Sequence, residues 1–186
     1  MPKPQSKPTA TIADLYQIKG KAEIVDGCMV RMPPTGALPG YAASEILFCL
    51  KQYQKAHSTG TAIGDNVGFI VNLPNRRSFS PDAAFWAGRA PSMRFYEGAP
   101  LFAVEVRSES DYGPAAERAI ARKRQDYFAA GTQAVWEVNL LGDIVIQLWH
   151  TANVDNPECF KRGSTAHAEP VLPGWQMQVN ELFPKT

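Results

Sequence analysis

The spacing of apolar and polar positions changes several times along the chain, and each change marks an element. Thr11 to Gln17 reads as a short helix opened by a threonine cap. Ala22 to Met32 alternates about the pair Asp26-Gly27, whose residues tolerate positive φ, which predicts a β-hairpin. Pro33-Pro34-Thr35-Gly36 ends it. From Pro39 to Ala56, Ala43, Ile46, Leu47, Leu50 and Tyr53 recur at helical intervals and predict an amphipathic helix. Thr61 to Leu73 is expected as a strand, Pro74 to Ser78 as a turn, and Phe79 to Trp86 as the antiparallel neighbour carrying Pro81-Asp82. Residues 87–100, punctuated by Gly and Pro, read as loop.

The run Leu101-Phe102-Ala103-Val104-Glu105-Val106-Arg107 predicts a buried strand. Strand side chains alternate, so Ala103, Glu105 and Arg107 share one face, and Phe102, Val104 and Val106 the other. A charge there costs several kcal/mol unless it is paired or binds a metal. Glu105 therefore needs a compensating group. After a turn at 108–113, Pro114 suits a first helical position, and the helix should run to about Ala130, with Gly131 as its stop. Ala116, Ile120, Lys123, Tyr127 and Ala130 form one helical stripe, which turns Lys123 toward the sheet and leaves Arg118 and Arg122 on a basic outer face. Ala134–Val138 and Ile144–Trp149 are expected strands, Asn153 to Ala168 a polar loop, and Val171 to Phe183 a short closing segment. Strand, helix, strand about Glu105 suggests a parallel crossover, and the whole order a mixed α/β fold with helices covering a central sheet. Residues 1–10 are expected as a flexible tail and 11–186 as one domain.

The composition narrows the function classes. Nineteen basic and eighteen acidic residues leave a net charge of +1, so any attraction to nucleic acid must come from a local patch. Three scattered cysteines and three scattered histidines show no metal-ligand spacing, which favours a reduced, cytoplasmic setting. The N-terminal ten residues lack the apolar core of a signal peptide, and no run approaches the ~20 apolar residues that span a bilayer. No membrane partner is expected.

The candidate chemistry lies in Asp82, Glu105, Arg107 and Lys123. Two converging carboxylates beside cations are what metal-assisted phosphodiester cleavage requires. Arg107 cannot be a general base, because guanidinium stays protonated. Lys123 could lose its proton only if burial depressed its pKa. A structural reading stands beside the metal one, with Glu105 paired to Arg107 or Lys123 and no ion present. Tyr127 and Trp136 suit a core better than a base-stacking platform.

Pro81-Asp82, Val104-Glu105-Val106-Arg107-Ser108, Lys123-Arg124-Gln125-Asp126-Tyr127-Phe128-Ala129-Ala130-Gly131 and Val135-Trp136-Glu137-Val138 together resemble the Uma2 family, also called the domain of unknown function 820. The Asp26-Gly27 hairpin and Leu172-Pro173-Gly174-Trp175 extend the match over about residues 11–183. The resemblance implies a restriction-endonuclease-like core of the PD-(D/E)XK type, a central mixed sheet flanked by helices, with an added N-terminal β-hairpin. It further implies Mg2+ or Mn2+ held by Asp82, Glu105 and the Val106 carbonyl, DNA as substrate, and a homodimer, for which Phe95, Tyr96 and Trp149 look exposed. Arg107 occupies the lysine position of that motif, which leaves Lys123 as the candidate lysine. Glu45 and Tyr127 are possible additional site residues. Where many members carry a histidine, this chain has Pro39. A nuclease-fold protein without strong catalysis, acting as a nucleic-acid-binding or regulatory module, is the alternative.

Overall fold

The structure, a computed structural model, describes residues 9–185. Residues 1–8 of the expected tail lie outside the described residues. Helix α1 (Ile12–Tyr16) opens on a capping box in which Thr11 and Asp14 satisfy each other's backbone N–H. Strands β1 (Ala22–Val25) and β2 (Cys28–Arg31) form the expected hairpin, with φ of +50° at Asp26 and +72° at Gly27. Helix α2 (Ala37–His57) follows, two residues longer at its start than its apolar stripe predicts. Pro39 falls in the first turn, where a helix has no use for its missing N–H.

The expected strand 61–73 is two short strands, β3 (Thr61–Ile63) and β4 (Phe69–Ile70), separated by a turn that includes Asn66 at φ +61°. The segment 79–86 likewise divides into β5 (Ser78–Phe79) and β6 (Ala83–Trp86) around Pro81-Asp82. Proline lacks the N–H that a continuous ladder needs. Next come β7 (Tyr96–Glu97), inside the expected loop, and β8 (Phe102–Val106), then α3 (Pro114–Ala129) and β9 (Ala134–Val138). Strands β10 (Ile144–His150), β11 (Asn153–Lys161), β12 (Thr165–His167) and β13 (Gln176–Gln178) and a 3₁₀ turn at Val179–Leu182 complete the chain. The polar loop expected over 153–168 is therefore wrong. β11 is an edge strand with only Phe160 buried, so its composition reflects solvent on both faces rather than a lack of structure.

Six strands form the central mixed sheet in the order β11-β10-β9-β8-β6-β3. β8 and β9 run parallel across α3, as the crossover pattern predicts, and the other neighbours are antiparallel. Each face carries its own core. Phe102, Val104 and Val106 pack with Trp136 and with Ile46 and Leu50 of α2. On the other face Ala103 packs with Tyr127 of α3, Phe79 and Val135. Each fully buried large side chain contributes roughly 1.5–3 kcal/mol, and together they fix the register of β8. That register turns Glu105 toward α3, as strand parity requires.

Phe95 and Tyr96 are used inside the chain, stacked on Tyr16 and Phe69, and Trp149 is covered by the Arg124 guanidinium at 3.6 Å. None of the three forms the exposed aromatic surface on which a homodimer was expected.

Candidate active site

The site forms where the sheet ladder between β6 and β8 runs out. The last pair is Ala83 with Val104, and the Asp82 N–H donates to the Val104 carbonyl at 3.0 Å. Beyond it the Asp82 carboxylate replaces a strand: Oδ2 accepts the Val106 N–H at 2.7 Å. A proline before Asp82 ends the strand, and the freed N–H of β8 then captures the side chain. Asp82 and Glu105 are thereby brought to one cleft of about 390 Å³. Val30, Met32 and Pro33 form an apolar wall from the hairpin, and Ala119 and Ile120 of α3 form another.

Glu105 Oε1 accepts from the Tyr127 hydroxyl at 2.6 Å and lies 2.8 Å from Lys123 Nζ. Among the described residues no donor reaches Glu105 Oε2. Lys123 Nζ also lies 2.9 Å from Glu23 Oε1, so two acids share one ammonium. Glu23 is itself buried, 4% exposed, and takes the Arg76 guanidinium at 2.5 Å and the Ser80 N–H at 2.9 Å. Arg76 continues to Asp126 at 2.8 Å, and Asn75 donates to that carboxylate at 2.8 Å. On the other side Lys21 Nζ lies 2.5 Å from Asp82 Oδ1 and 2.6 Å from Asp65 Oδ1.

This network sets the charge states. Burial opposes ionisation of Glu23, but Lys123, Arg76 and the Ser80 N–H win and hold its pKa below 4.5. Glu105 goes the other way: burial is the largest cause, and together with the neighbouring Asp82 and Glu23 charges it outweighs Lys123 and Lys21, raising its pKa. Burial disfavours the Lys123 ammonium, yet Glu105 and Glu23 together raise its pKa, so it stays charged. Burial and the same acids keep the Tyr127 hydroxyl protonated, as its donation to Glu105 requires.

The structure thus brings Asp82, Glu105, Val106, Arg107 and Lys123 to the cleft, with Tyr127 bonded to Glu105 from behind. It does not bring Glu45, which is half-buried on α2 away from the cleft lining. Arg107 does not compensate Glu105. Its two terminal nitrogens form a bidentate pair with Glu117, while its Nε is buried without a partner. Lys21, Glu23, Asp65 and Arg76 escaped the sequence reading. A signal existed for Glu23, because Ala22-Glu23-Ile24-Val25 sets one charge in an apolar run as the Glu105 strand does. Lys21 and Arg76 lie in turn-like sequence and are recruited by tertiary approach alone.

Among the described residues no three histidines, cysteines or acids are grouped to hold an ion by themselves. Two carboxylates with an undonated oxygen at Glu105 do fit a hard cation such as Mg2+, which keeps several waters and takes one or two protein carboxylates. No described helix is long and apolar enough to cross a membrane.

The crystal structure of a putative nuclease belonging to DUF820 from Anabaena variabilis is similar to this chain, with a TM-score of 0.73, 14% identity, and coverage of 94% of this chain and 97% of that one. At that identity the likeness establishes the fold. No curated protein matches the sequence. The model of the Uma2 family, described as a putative restriction endonuclease, matches residues 12–180, and by that match the chain belongs to the Uma2 family of restriction-endonuclease-like nucleases.

Proposed function

We propose that this chain is a Mg2+-dependent endonuclease that hydrolyses DNA phosphodiester bonds in the cleft of Asp82 and Glu105. The observation that carries the reading is the meeting of these two acids in one cleft beside Lys123, whose ammonium lies 2.8 Å from Glu105. Asp82 and Glu105 would hold the ion, with the Val106 carbonyl as a third oxygen; Mn2+ suits the same donors. When bound, the ion would lower the pKa of a water and neutralise charge on the phosphate. The chain's own groups supply the rest. Lys123, kept protonated by two acids, is a cation for the phosphate and not a base. Tyr127 fixes the Glu105 rotamer through its hydroxyl. Arg107, tethered by Glu117 at the cleft edge, offers positive charge to a neighbouring phosphate.

A second reading, a nucleic-acid-binding or regulatory module with little catalysis, is favoured by one observation. Both acids already hold a lysine, and the residue at the motif's lysine position is committed to Glu117. The two readings separate on plasmid and oligonucleotide substrates with Mg2+ or Mn2+. Cleavage by the wild type that disappears in Asp82→Ala supports the nuclease. Equal or absent cleavage in both proteins refutes it, and filter binding of the same oligonucleotides then decides for or against the module.

A further inference from the structure

Lys21 has no role in the nuclease reading, yet it holds the key oxygen of the site. It stands immediately before β1, where its carbonyl accepts the Met32 N–H at 3.0 Å, so the hairpin fixes its backbone. Its side chain is 13% exposed and spans two acids. Nζ lies 2.5 Å from Asp82 Oδ1, the Asp82 oxygen that the Val106 N–H leaves available, and 2.6 Å from Asp65 Oδ1. An ammonium and a divalent ion cannot both bond that oxygen, because two cations held so close repel strongly in a partly buried site. The ammonium has somewhere else to go. The Asp65 side chain is 42% exposed against 12% for Asp82, and both acids line a second cavity of about 230 Å³.

We propose that Lys21 is a built-in counter-cation that competes with the divalent ion for Asp82 Oδ1, and that Asp65 receives the ammonium when the ion enters. This rests on the metal reading of Asp82 and Glu105. Without the ion, Lys21 keeps Asp82 compensated beside Glu105. With it, the ammonium stays paired and near the cleft. Ion binding is then an exchange of cations, and its affinity depends on a lysine that is not a ligand.

Calorimetric titration of the full chain with Mn2+ tests this without reference to activity. Lys21→Met is expected to bind Mn2+ about tenfold more tightly than the wild type, and Asp65→Asn about fivefold more weakly, because the lysine loses its alternative partner. Lys21→Arg should stay near the wild type. Lys21→Met binding no more tightly, or Asp65→Asn binding as the wild type does, overturns the proposal. If Lys21→Met fails to fold, the Asp65→Asn shift decides alone, since that acid lies at the surface with a partly exposed side chain. Asp82→Ala separates the two levels. Loss of Mn2+ binding there upholds the metal reading whatever Lys21 does. Unchanged binding removes that reading and this inference with it.

Discussion

Replacing Arg76 by methionine removes the cation that joins two buried acids beneath the site. Arg76 is 5% exposed, and its guanidinium reaches Glu23 at 2.5 Å, Asp126 at 2.8 Å and the Phe79 ring at 5.0 Å. Removing one partner of a buried ion pair costs about 3–5 kcal/mol, because the remaining charge stays out of water. Here part of the compensation survives. Glu23 keeps Lys123 and the Ser80 N–H, and Asp126 keeps Asn75. The expected loss is therefore at the lower end, about 3 kcal/mol, or a drop in Tm of roughly 6–12 °C for a chain of this size. Urea denaturation followed by circular dichroism measures it, with the midpoint shifting at unchanged slope. Neutralising the acids as well, in Arg76→Met/Glu23→Gln/Asp126→Asn, should recover much of the loss. A single-variant cost below about 1 kcal/mol, or a triple variant worse than the single one, would refute the view that these three charges are one compensated unit.

Glu105→Gln should raise stability by about 1 kcal/mol at neutral pH while abolishing cleavage, as expected of a carboxylate kept at a site against its own preference. A folded pKa above 4.5 means that ionising Glu105 costs native stability as pH rises, so the gain should vanish below about pH 4.5 in a pH series of melts. Glu23 has the opposite sign. Its folded pKa lies below 4.5, so its contribution is complete above that pH and is lost as pH falls toward the folded value. Glu23→Gln should therefore flatten the acid limb of the wild-type stability curve. The exposed pair of Arg122 with Asp26, at 2.7 Å, ties the hairpin tip to α3, yet Arg122→Ala should leave the melting temperature close to that of the wild type, since both side chains are about half solvated.

The parts of the fold that were readable before the structure are those where local chemistry and tertiary packing agree. The Asp26-Gly27 hairpin, the stripe of α2, Pro114 and Gly131 about α3, and the parity of the Glu105 strand all have causes within a few residues. The split strands and β11 do not. Val67 and Val71 extend an apolar pattern across a turn, and β11 is held by pairing with β10 rather than by burial of its own side chains. At the site, the periodicity of α3 correctly turned Lys123 to the sheet and Arg122 outward. The assignment of compensating partners was less complete. Lys123 serves Glu105, but Arg107 is claimed by Glu117 ten residues away, and Lys21 and Arg76 enter from turn-like segments whose approach no local pattern encodes.

The central claim is that Asp82 and Glu105 jointly bind one divalent ion, and anomalous diffraction from a crystal soaked in Mn2+ tests it directly. The expected result is a single anomalous peak about 2.1 Å from a carboxylate oxygen of each, with Lys21 moved off Asp82. A fully soaked crystal with no peak in the cleft, and Lys21 still bonded to Asp82, would contradict it.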